Sequence, residues 1–183
     1  MYMFITVVIE AMGWLLRSYW HVNNQWVYNI FAPLQAYFLY WVFYRIYPKK
    51  FNSSLFLGIR AALFSAVYIF ECFEHPFTVF NNKSWIVFSF SIIIACGLYY
   101  YFLLKDEEYI NLAVYPAFWF VTGVFVYFFC SSVCTLFFTQ LVRINITEKI
   151  SLRYLLFILF NLILYGCWSY AFLCKYKQTR SLL

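Results

Sequence analysis

Residues 84–104, SWIVFSFSIIIACGLYYYFLL, decide the class of this protein. The stretch contains no charged residue, and its length suits a helix that crosses a membrane, for which roughly 20 mostly apolar residues are needed. In lipid such a segment must be helical, because lipid offers no hydrogen-bond partner to an open backbone N–H or C=O group. The stretch therefore predicts a membrane-spanning α-helix.

Five further apolar runs lie on both sides of this stretch. They cover 3–20, 25–47, 55–73, 112–141 and 152–174. The sequence thus predicts an all-α fold: one polytopic transmembrane helix bundle over residues 1–183, with about six spanning helices. The fifth run is too long for one straight span, and we expect the residues before Pro116 to lie at the membrane interface, since proline suits the first turn of a helix.

The composition supports a membrane protein and excludes several other classes. Of the 183 residues, 66% are hydrophobic and only 11% are charged, whereas soluble domains carry roughly 25% charged residues. Most of the exterior must therefore face the lipid bilayer. The short connections leave no room for a soluble catalytic domain or a nucleic-acid-binding module, so no nucleic-acid partner is expected.

Basic residues predict the orientation of the chain. With six spans both termini lie on one side, and that side holds eight of the thirteen Lys and Arg residues: Arg45, Lys49, Lys50, Arg60, Lys105, Lys175, Lys177 and Arg180. The opposite side holds five: Arg17, Lys83, Arg143, Lys149 and Arg153. Because basic residues concentrate on the cytoplasmic side, we expect a multi-pass protein of the cytoplasmic (inner) membrane with both termini in the cytoplasm.

Polar side chains recur at helical spacing in five of the six predicted spans. The candidate site residues on these stripes are Glu10, Asn29, Tyr37, Tyr68, Glu71, His75, Ser132, Thr135, Asn161 and Tyr165. Polar groups at membrane depth normally face the bundle interior. Two interpretations follow: the stripes make hydrogen bonds between helices, or they line a polar pocket or path.

Glu10 is the one acidic residue that falls well inside a predicted span. No basic residue lies within one turn of it on the same run. We expect its carboxyl group to point into the bundle and to bind polar side chains of other spans. The alternative is a shallow first span in which Glu10 is solvated.

Glu71, Glu74 and His75 form a second polar group near Pro76. Their spacing of i, i+3 and i+4 would place two carboxylates and an imidazole on one helical face, and these side chains can bind metal ions. The pattern is similar to an inverted zinc-protease motif whose first histidine is missing. We therefore predict a hydrated helix end that holds no metal.

Other motifs of catalysis or cofactor binding are absent from the sequence. The six cysteines lie in or at the ends of spans, where isolated thiols behave as small hydrophobic groups. The sequence contains no glycine-rich phosphate loop, no nucleophile elbow and no H-E-x-x-H motif. No cofactor is expected.

The segment Asn24–Phe31, NQWVYNIF, precedes a span rich in tyrosine and phenylalanine. In this segment and in its hydropathy profile the chain resembles small uncharacterised multi-spanning membrane proteins of Bacteroidota-type bacteria. The resemblance implies a helical membrane fold, often with seven spans, of which this chain would lack the first. It implies no activity and no functional residues.

Three functions are compatible with these features. The first is a ligand-binding membrane sensor or accessory subunit that acts through a partner, either a membrane or cytoplasmic protein or a second copy of the chain. The second is a small channel or transporter with a polar path through the bundle. The third is a membrane-embedded enzyme that uses Glu71, Glu74 and His75.

Overall fold

The computed structural model describes residues 2–21, 23–48, 52–105, 111–137, 141, 145–147 and 150–180. Most of these residues belong to long helices: α1 (Tyr2–Ser18), α2 (Gln25–Ile46), α3 (Ser53–Glu74), α4 (Asn82–Lys105), α5 (Pro116–Leu136) and α6 (Leu152–Arg180). Each predicted apolar run overlaps one of these helices. The predicted all-α fold is confirmed.

The largest differences from the predicted boundaries occur in the last two helices. The predicted run 112–141 is not one helix: a short 3-10 turn, Leu112–Val114, precedes α5, which begins at Pro116 and ends at Leu136. Proline at the first helical position is the expected start, because its missing N–H group needs no partner there. The last helix continues past residue 174 to Arg180, and basic side chains in its last turn are favourable beside the helix carbonyl groups.

A two-stranded antiparallel hairpin occupies the connection before α6. It joins β1 (Asn145–Thr147) to β2 (Ile150–Ser151), with Asn145 opposite Ser151. The polar connection between the fifth and sixth predicted spans thus has local structure of its own. It adds two short strands to an otherwise helical chain.

Four helices among the described residues are long and apolar enough to cross a membrane. They are Ser53–Glu74, Asn82–Lys105, Pro116–Leu136 and the Tyr154–Arg180 part of α6. Helix α2 has 22 residues, but its many Tyr and Trp side chains make it less apolar. Helix α1 has 17 residues, fewer than these four helices.

The chain divides into two compact units whose boundary lies inside α4. Unit 1 covers Met1–Phe88 and unit 2 covers Ser89–Leu183. In unit 1, Phe88 packs edge to face against Tyr40 of α2 and also contacts Phe64 of α3. These large rings join the start of α4 to α2 and α3, since aromatic pairs add specific contacts to buried area.

A buried arginine lies among the aromatic side chains of unit 1. The guanidinium of Arg60, on the second turn of α3, lies 4.4 Å from the ring centroid of Tyr40 and 5.1 Å from that of Phe56. Aromatic faces attract such a cation. Arg60 therefore helps to join α3 to α2.

In unit 2, α5 and α6 are in close contact along their length. A Cβ atom placed on Gly123 would come within 2.7 Å of the Cβ atom of Cys167. Nearby, the rings of Phe120 and Trp168 stack with centroids 5.0 Å apart. The absence of a side chain at Gly123 is thus what allows the two helix backbones to approach.

Candidate functional site

The most extensive polar contacts of unit 1 centre on Glu71, near the end of α3. Its side chain is only 2% exposed. Oε1 accepts a hydrogen bond from the backbone N–H of Lys83 at 2.9 Å, and Oε2 accepts two at 2.9 Å, from the backbone N–H and the hydroxyl of Ser84. The first N–H groups of a helix have no partner within that helix. Glu71 supplies partners for two of them at the start of α4.

Asn29 of α2 holds the segment that connects α3 to α4. Its fully buried amide donates to the carbonyl oxygens of Phe77 at 2.8 Å and of Val79 at 2.7 Å. Its Oδ1 accepts from the backbone N–H of Asn81 at 3.1 Å. One side chain therefore binds three backbone groups of the connecting segment, which leaves both atoms of the amide satisfied.

Four more side chains complete this network. Tyr68 donates its hydroxyl to the carbonyl oxygen of Asn29 at 2.9 Å, and Asn81 donates to the sulfur of Cys72 at 3.5 Å. Before α2, Asn23 donates to the carbonyl of Thr78 and Asn24 donates to the carbonyl of Gly13, both at 2.9 Å. We call this network the polar cap: Asn23, Asn24, Asn29, Tyr68, Glu71, Asn81 and Ser84.

The polar cap contains three of the ten predicted site residues. These are Asn29, Tyr68 and Glu71, which lie on the faces predicted for them. Tyr37 is outside the cap: it is exposed, and its hydroxyl lies 2.6 Å from the hydroxyl of Ser65 on α3. It therefore makes a hydrogen bond between helices, and it does not line a pocket with the cap residues.

The predicted helical face of Glu71, Glu74 and His75 is wrong. His75 follows the last helical residue and has an extended backbone, with φ −131° and ψ 150°. Glu71 is buried against α4, whereas the Glu74 side chain is partly exposed and forms an ion pair with Lys83. The Nε2 atom of His75 lies 3.8 Å from Oε1 of Glu74. Because the residue before a proline avoids the helical conformation, α3 ends at Glu74 and His75 leaves the face on which the other two lie.

The prediction that Glu10 points into the bundle is also wrong. Its side chain is exposed, and it makes no hydrogen bond to another described residue. The buried face of α1 instead carries Thr6 and Gly13. Gly13 lies so close to α2 that a Cβ atom on it would come within 2.5 Å of the hydroxyl of Tyr28, and Glu10 is at the edge of this contact.

In unit 2, two predicted residues of α5 bind their own helix. Ser132 donates to the carbonyl of Phe128 at 2.8 Å, and Thr135 donates to the carbonyl of Ser131 at 2.9 Å. Bonds to the carbonyl four residues earlier are common for hydroxyl side chains inside helices. On α6, the ring of Tyr165 packs edge to face on Trp168, with centroids 6.4 Å apart.

Asn161, on α6, is the remaining predicted residue. It lies about 14 Å along the helix from Leu152, at a rise of 1.5 Å per residue, and it is half-buried. Its amide makes no hydrogen bond to any described residue. An amide side chain carries two donors and an acceptor, and lipid would satisfy none of them.

The described residues form no cluster of metal-binding side chains. Nowhere in the part of the chain that the structure describes do three or more His, Cys, Asp or Glu side chains come together in a way that could hold a metal ion. The buried carboxylate that could act chemically, Glu71, already accepts three hydrogen bonds. The cap is therefore built to hold a backbone conformation.

Several cap residues were missing from the predicted site. Asn81 and Ser84 lie at the start of α4, where such residues are typical of a helix N-terminus. Asn23 and Asn24 precede α2 for the same reason. This signal was available in the sequence, but it indicated only where helices begin. It did not indicate that these side chains bind groups of other helices and of the connecting segments.

Comparisons with known proteins give no match: no family model, no curated protein and no solved structure is similar to this chain.

Proposed function

We propose that this chain is a non-enzymatic accessory subunit or sensor of the cytoplasmic membrane, and that it acts through a membrane partner that docks on α6 at Asn161. The partner contributes a transmembrane helix with a polar side chain, such as an amide, hydroxyl or carboxyl group. A ligand-sensing role would be exercised through the same partner. The polar cap keeps unit 1 in one conformation while α6 makes the contact.

Asn161 carries this proposal because it differs from the other predicted amide. The side chain of Asn29 has all its capacity used within the chain, whereas Asn161 has no described partner. In lipid an asparagine side chain favours hydrogen bonding across helices, worth about 1–2 kcal/mol in simple helices. Since no described residue of the chain supplies the bond, a helix from outside the chain is the natural source.

The flank of α6 beside Asn161 has room for a neighbouring helix. Successive residues of a helix are rotated by about 100°, so Ile158 lies close to Asn161 on the surface of α6, and Leu159 lies on the far flank. Both side chains are exposed, to 40% and 50%. A helix that packs over Ile158 would cover the Asn161 amide without disturbing the contact between α5 and α6.

The two rival functions have less support from the geometry. A polar path would require hydroxyl groups directed into a wet channel, but Ser132 and Thr135 bind carbonyl groups of α5 itself. An enzyme built on Glu71, Glu74 and His75 would require them on one face, but His75 lies beyond the end of α3 and the carboxylate of Glu71 is occupied by the start of α4. Channel, transporter and enzyme remain alternatives for direct assay.

The finer membrane placement is part of the proposal. We place the protein in the inner membrane as a multi-pass chain with its C-terminus in the cytoplasm, because basic residues concentrate at the 2–3 connection and at the end of α6. If all six helices cross, as the six apolar runs predict, the N-terminus shares that side. The position of α1 decides this second point.

Photo-crosslinking in native membranes tests the partner. A photoreactive amino acid at Ile158 should give one discrete protein adduct, whose helix is identified by mass spectrometry. The matched control places the same probe at Leu159, which should give lipid adducts alone. Asn161→Leu should abolish the adduct, and Asn161→Gln should keep it, because the longer amide retains both donors and the acceptor.

The identified helix must contain a polar side chain whose replacement by leucine also removes the adduct. An adduct with a second copy of this chain would identify the partner as another copy. The proposal fails if Ile158 and Leu159 give the same adducts, or if Asn161→Leu leaves the Ile158 adduct unchanged.

A further inference from the structure

The last turns of α2 and α6 each carry an arginine that lies over an aromatic ring of the same helix. The guanidinium of Arg45 is 5.5 Å from the ring centroid of Trp41, and that of Arg180 is 5.9 Å from the ring centroid of Tyr176. In each pair the cation follows the ring by four residues, so both side chains project from one face of their helix. All four side chains are exposed. The same arrangement thus ends one helix of unit 1 and one helix of unit 2.

The rings hold these cations near the level of the membrane interface. Trp and Tyr favour that level, because their rings combine an apolar body with one polar group. Side chains of a helix tilt toward its N-terminus, and each arginine side chain accordingly reaches back to a ring that lies one turn, or about 6 Å, earlier along the axis. Each guanidinium is therefore kept beside the interface, where lipid headgroups lie.

The donors of both arginines are available to a ligand. A guanidinium that stacks on a ring uses its flat face, and its five N–H donors point outward in the plane. Arg45 and Arg180 make no hydrogen bond or ion pair with any residue that the structure describes. Lys83 is different: its cation lies 5.7 Å from the ring centroid of Phe70, but it is already paired with the carboxylate of Glu74.

The sequence around both arginines carries positive charge alone. No Asp or Glu lies within 20 residues of either one along the chain. The neighbouring charges are lysines, which follow Arg45 and precede Arg180: Lys49, Lys50, Lys175 and Lys177. Such basic clusters beside a membrane span attract anionic lipids.

The end of α4 offers a matched comparison. The cation of Lys105 lies 5.9 Å from the ring centroid of Tyr101, again four residues earlier on the same helix. Here, however, the next three residues are Asp106, Glu107 and Glu108. Lys105 therefore has the ring and the cation of the other two pairs without their positive surroundings.

We propose that the Arg45–Trp41 pair and the Arg180–Tyr176 pair each bind the phosphate group of an anionic phospholipid. A guanidinium binds phosphate oxygens through two parallel hydrogen bonds, while the ring below it contacts the upper part of the acyl chains. In the predicted topology α2 and α6 cross the membrane in the same direction, so both pairs face the cytoplasmic leaflet, whose anionic lipids attract cations. The proposal goes beyond the partner site at Asn161 and does not depend on it.

Native mass spectrometry of the purified full chain tests the two sites by counting bound lipids. At a phosphatidylglycerol concentration at which the wild-type chain retains two lipids, Arg45→Gln and Arg180→Gln should each retain one, because removal of one cation weakens its site about fivefold. Phosphatidylcholine should not be retained at that concentration. Equal retention of the two lipids by the wild-type chain would overturn the proposal.

Lys105→Gln is the control, because it removes the same charge as Arg45→Gln. It should still retain two lipids, and an equal loss in both variants would show that only the net charge matters, which overturns the proposal. All these side chains are exposed, so the melting temperature of each variant should match that of the wild-type chain.

Two further measurements test the ring and the source of the phosphate. Trp41→Leu keeps the cation and removes the ring, and it should lose one lipid; if it retains both, the pair is not the binding unit and the proposal fails. Inorganic phosphate at the same concentration should not displace phosphatidylglycerol, because it has no acyl chains to hold it beside the ring. Displacement would assign the arginines to free phosphate and overturn the lipid site.

Discussion

Replacing Glu71 by alanine should be among the most destabilising changes to a single polar side chain in unit 1. The substitution leaves two donors without an acceptor, the backbone N–H groups of Lys83 and Ser84 at the start of α4. The hydroxyl of Ser84 loses one of its two acceptors and keeps the carbonyl of Asn81. A buried donor without a partner costs about 1–3 kcal/mol, and loss of a helix N-cap costs about 0.5–2 kcal/mol. Because water can partly reach a helix start, we expect a total loss of about 2–4 kcal/mol in the free energy of unfolding.

The matched control for Glu71→Ala is Glu74→Ala, one turn further along α3. Glu74 forms an exposed ion pair with Lys83, and such pairs contribute little to stability because water screens the charges. Glu71→Gln should fall between the two, since the amide keeps one acceptor oxygen for the helix start.

Unfolding of the three variants can be followed by tryptophan fluorescence in mixed micelles as the fraction of denaturing detergent rises. If Glu71→Ala and Glu74→Ala lose equal stability, the bonds of Glu71 to α4 do not support the fold, and the account of the polar cap is refuted.

Three further changes test other contacts by the same titration, each against its own control. Asn29→Asp should cost about 2–4 kcal/mol, because the donor that binds two carbonyl oxygens becomes an acceptor; wild-type stability would show that those bonds contribute nothing. Tyr37→Phe removes the hydrogen bond to α3 and should cost about 0.6 kcal/mol of stability. Its control, Tyr44→Phe, removes an exposed hydroxyl and should leave stability unchanged. Equal stabilities of the two variants would contradict a hydrogen bond between Tyr37 and α3. Gly123→Ala should cost about 1–3 kcal/mol of stability because the added Cβ atom meets α6. In the control, Gly166→Ala, the added Cβ atom meets nothing within 4 Å, so stability should stay the same or rise by up to about 1 kcal/mol. Unchanged stability in Gly123→Ala would exclude the close approach of α5 and α6.

The positions of the helices could be predicted because a helix that crosses lipid must be apolar along its length. The apolar run and the helix therefore begin and end at nearly the same residues. The predicted run 55–73 and the observed Ser53–Glu74 differ by at most two residues. The end of α6 could not be predicted in this way. After residue 174 the chain is polar, but Lys, Gln and Arg are good helix formers, so the helix continues to Arg180 after the apolar pattern has stopped.

The polar cap was only partly predictable, for a physical reason. Spacing along one helix identifies which side chains share a face, and it placed Asn29, Tyr68 and Glu71 on inward faces. Their partners are mostly backbone groups, such as the carbonyls of Phe77 and Val79. Nearly every residue has the same backbone groups, so the sequence does not mark which of them will be bound. A periodic pattern therefore indicates that a polar side chain needs a partner, but it does not identify the partner.

The predicted site residues differ in whether they need a partner outside their own helix. The type of polar side chain predicts this difference better than the position of the residue along its span. A serine or threonine hydroxyl can bind the carbonyl four residues earlier, so Ser132 and Thr135 are satisfied on α5 and require nothing from another helix. An amide or a carboxylate has more polar atoms than its own helix can satisfy. In unit 1 the connecting segment supplies hydrogen-bond partners for the amide of Asn29, and the start of α4 supplies them for the carboxylate of Glu71. Asn161 on α6 also has more donors and acceptors than its own helix can satisfy, and it has no partner among the described residues. By the same reasoning it marks the surface of unit 2 where another helix should be sought first.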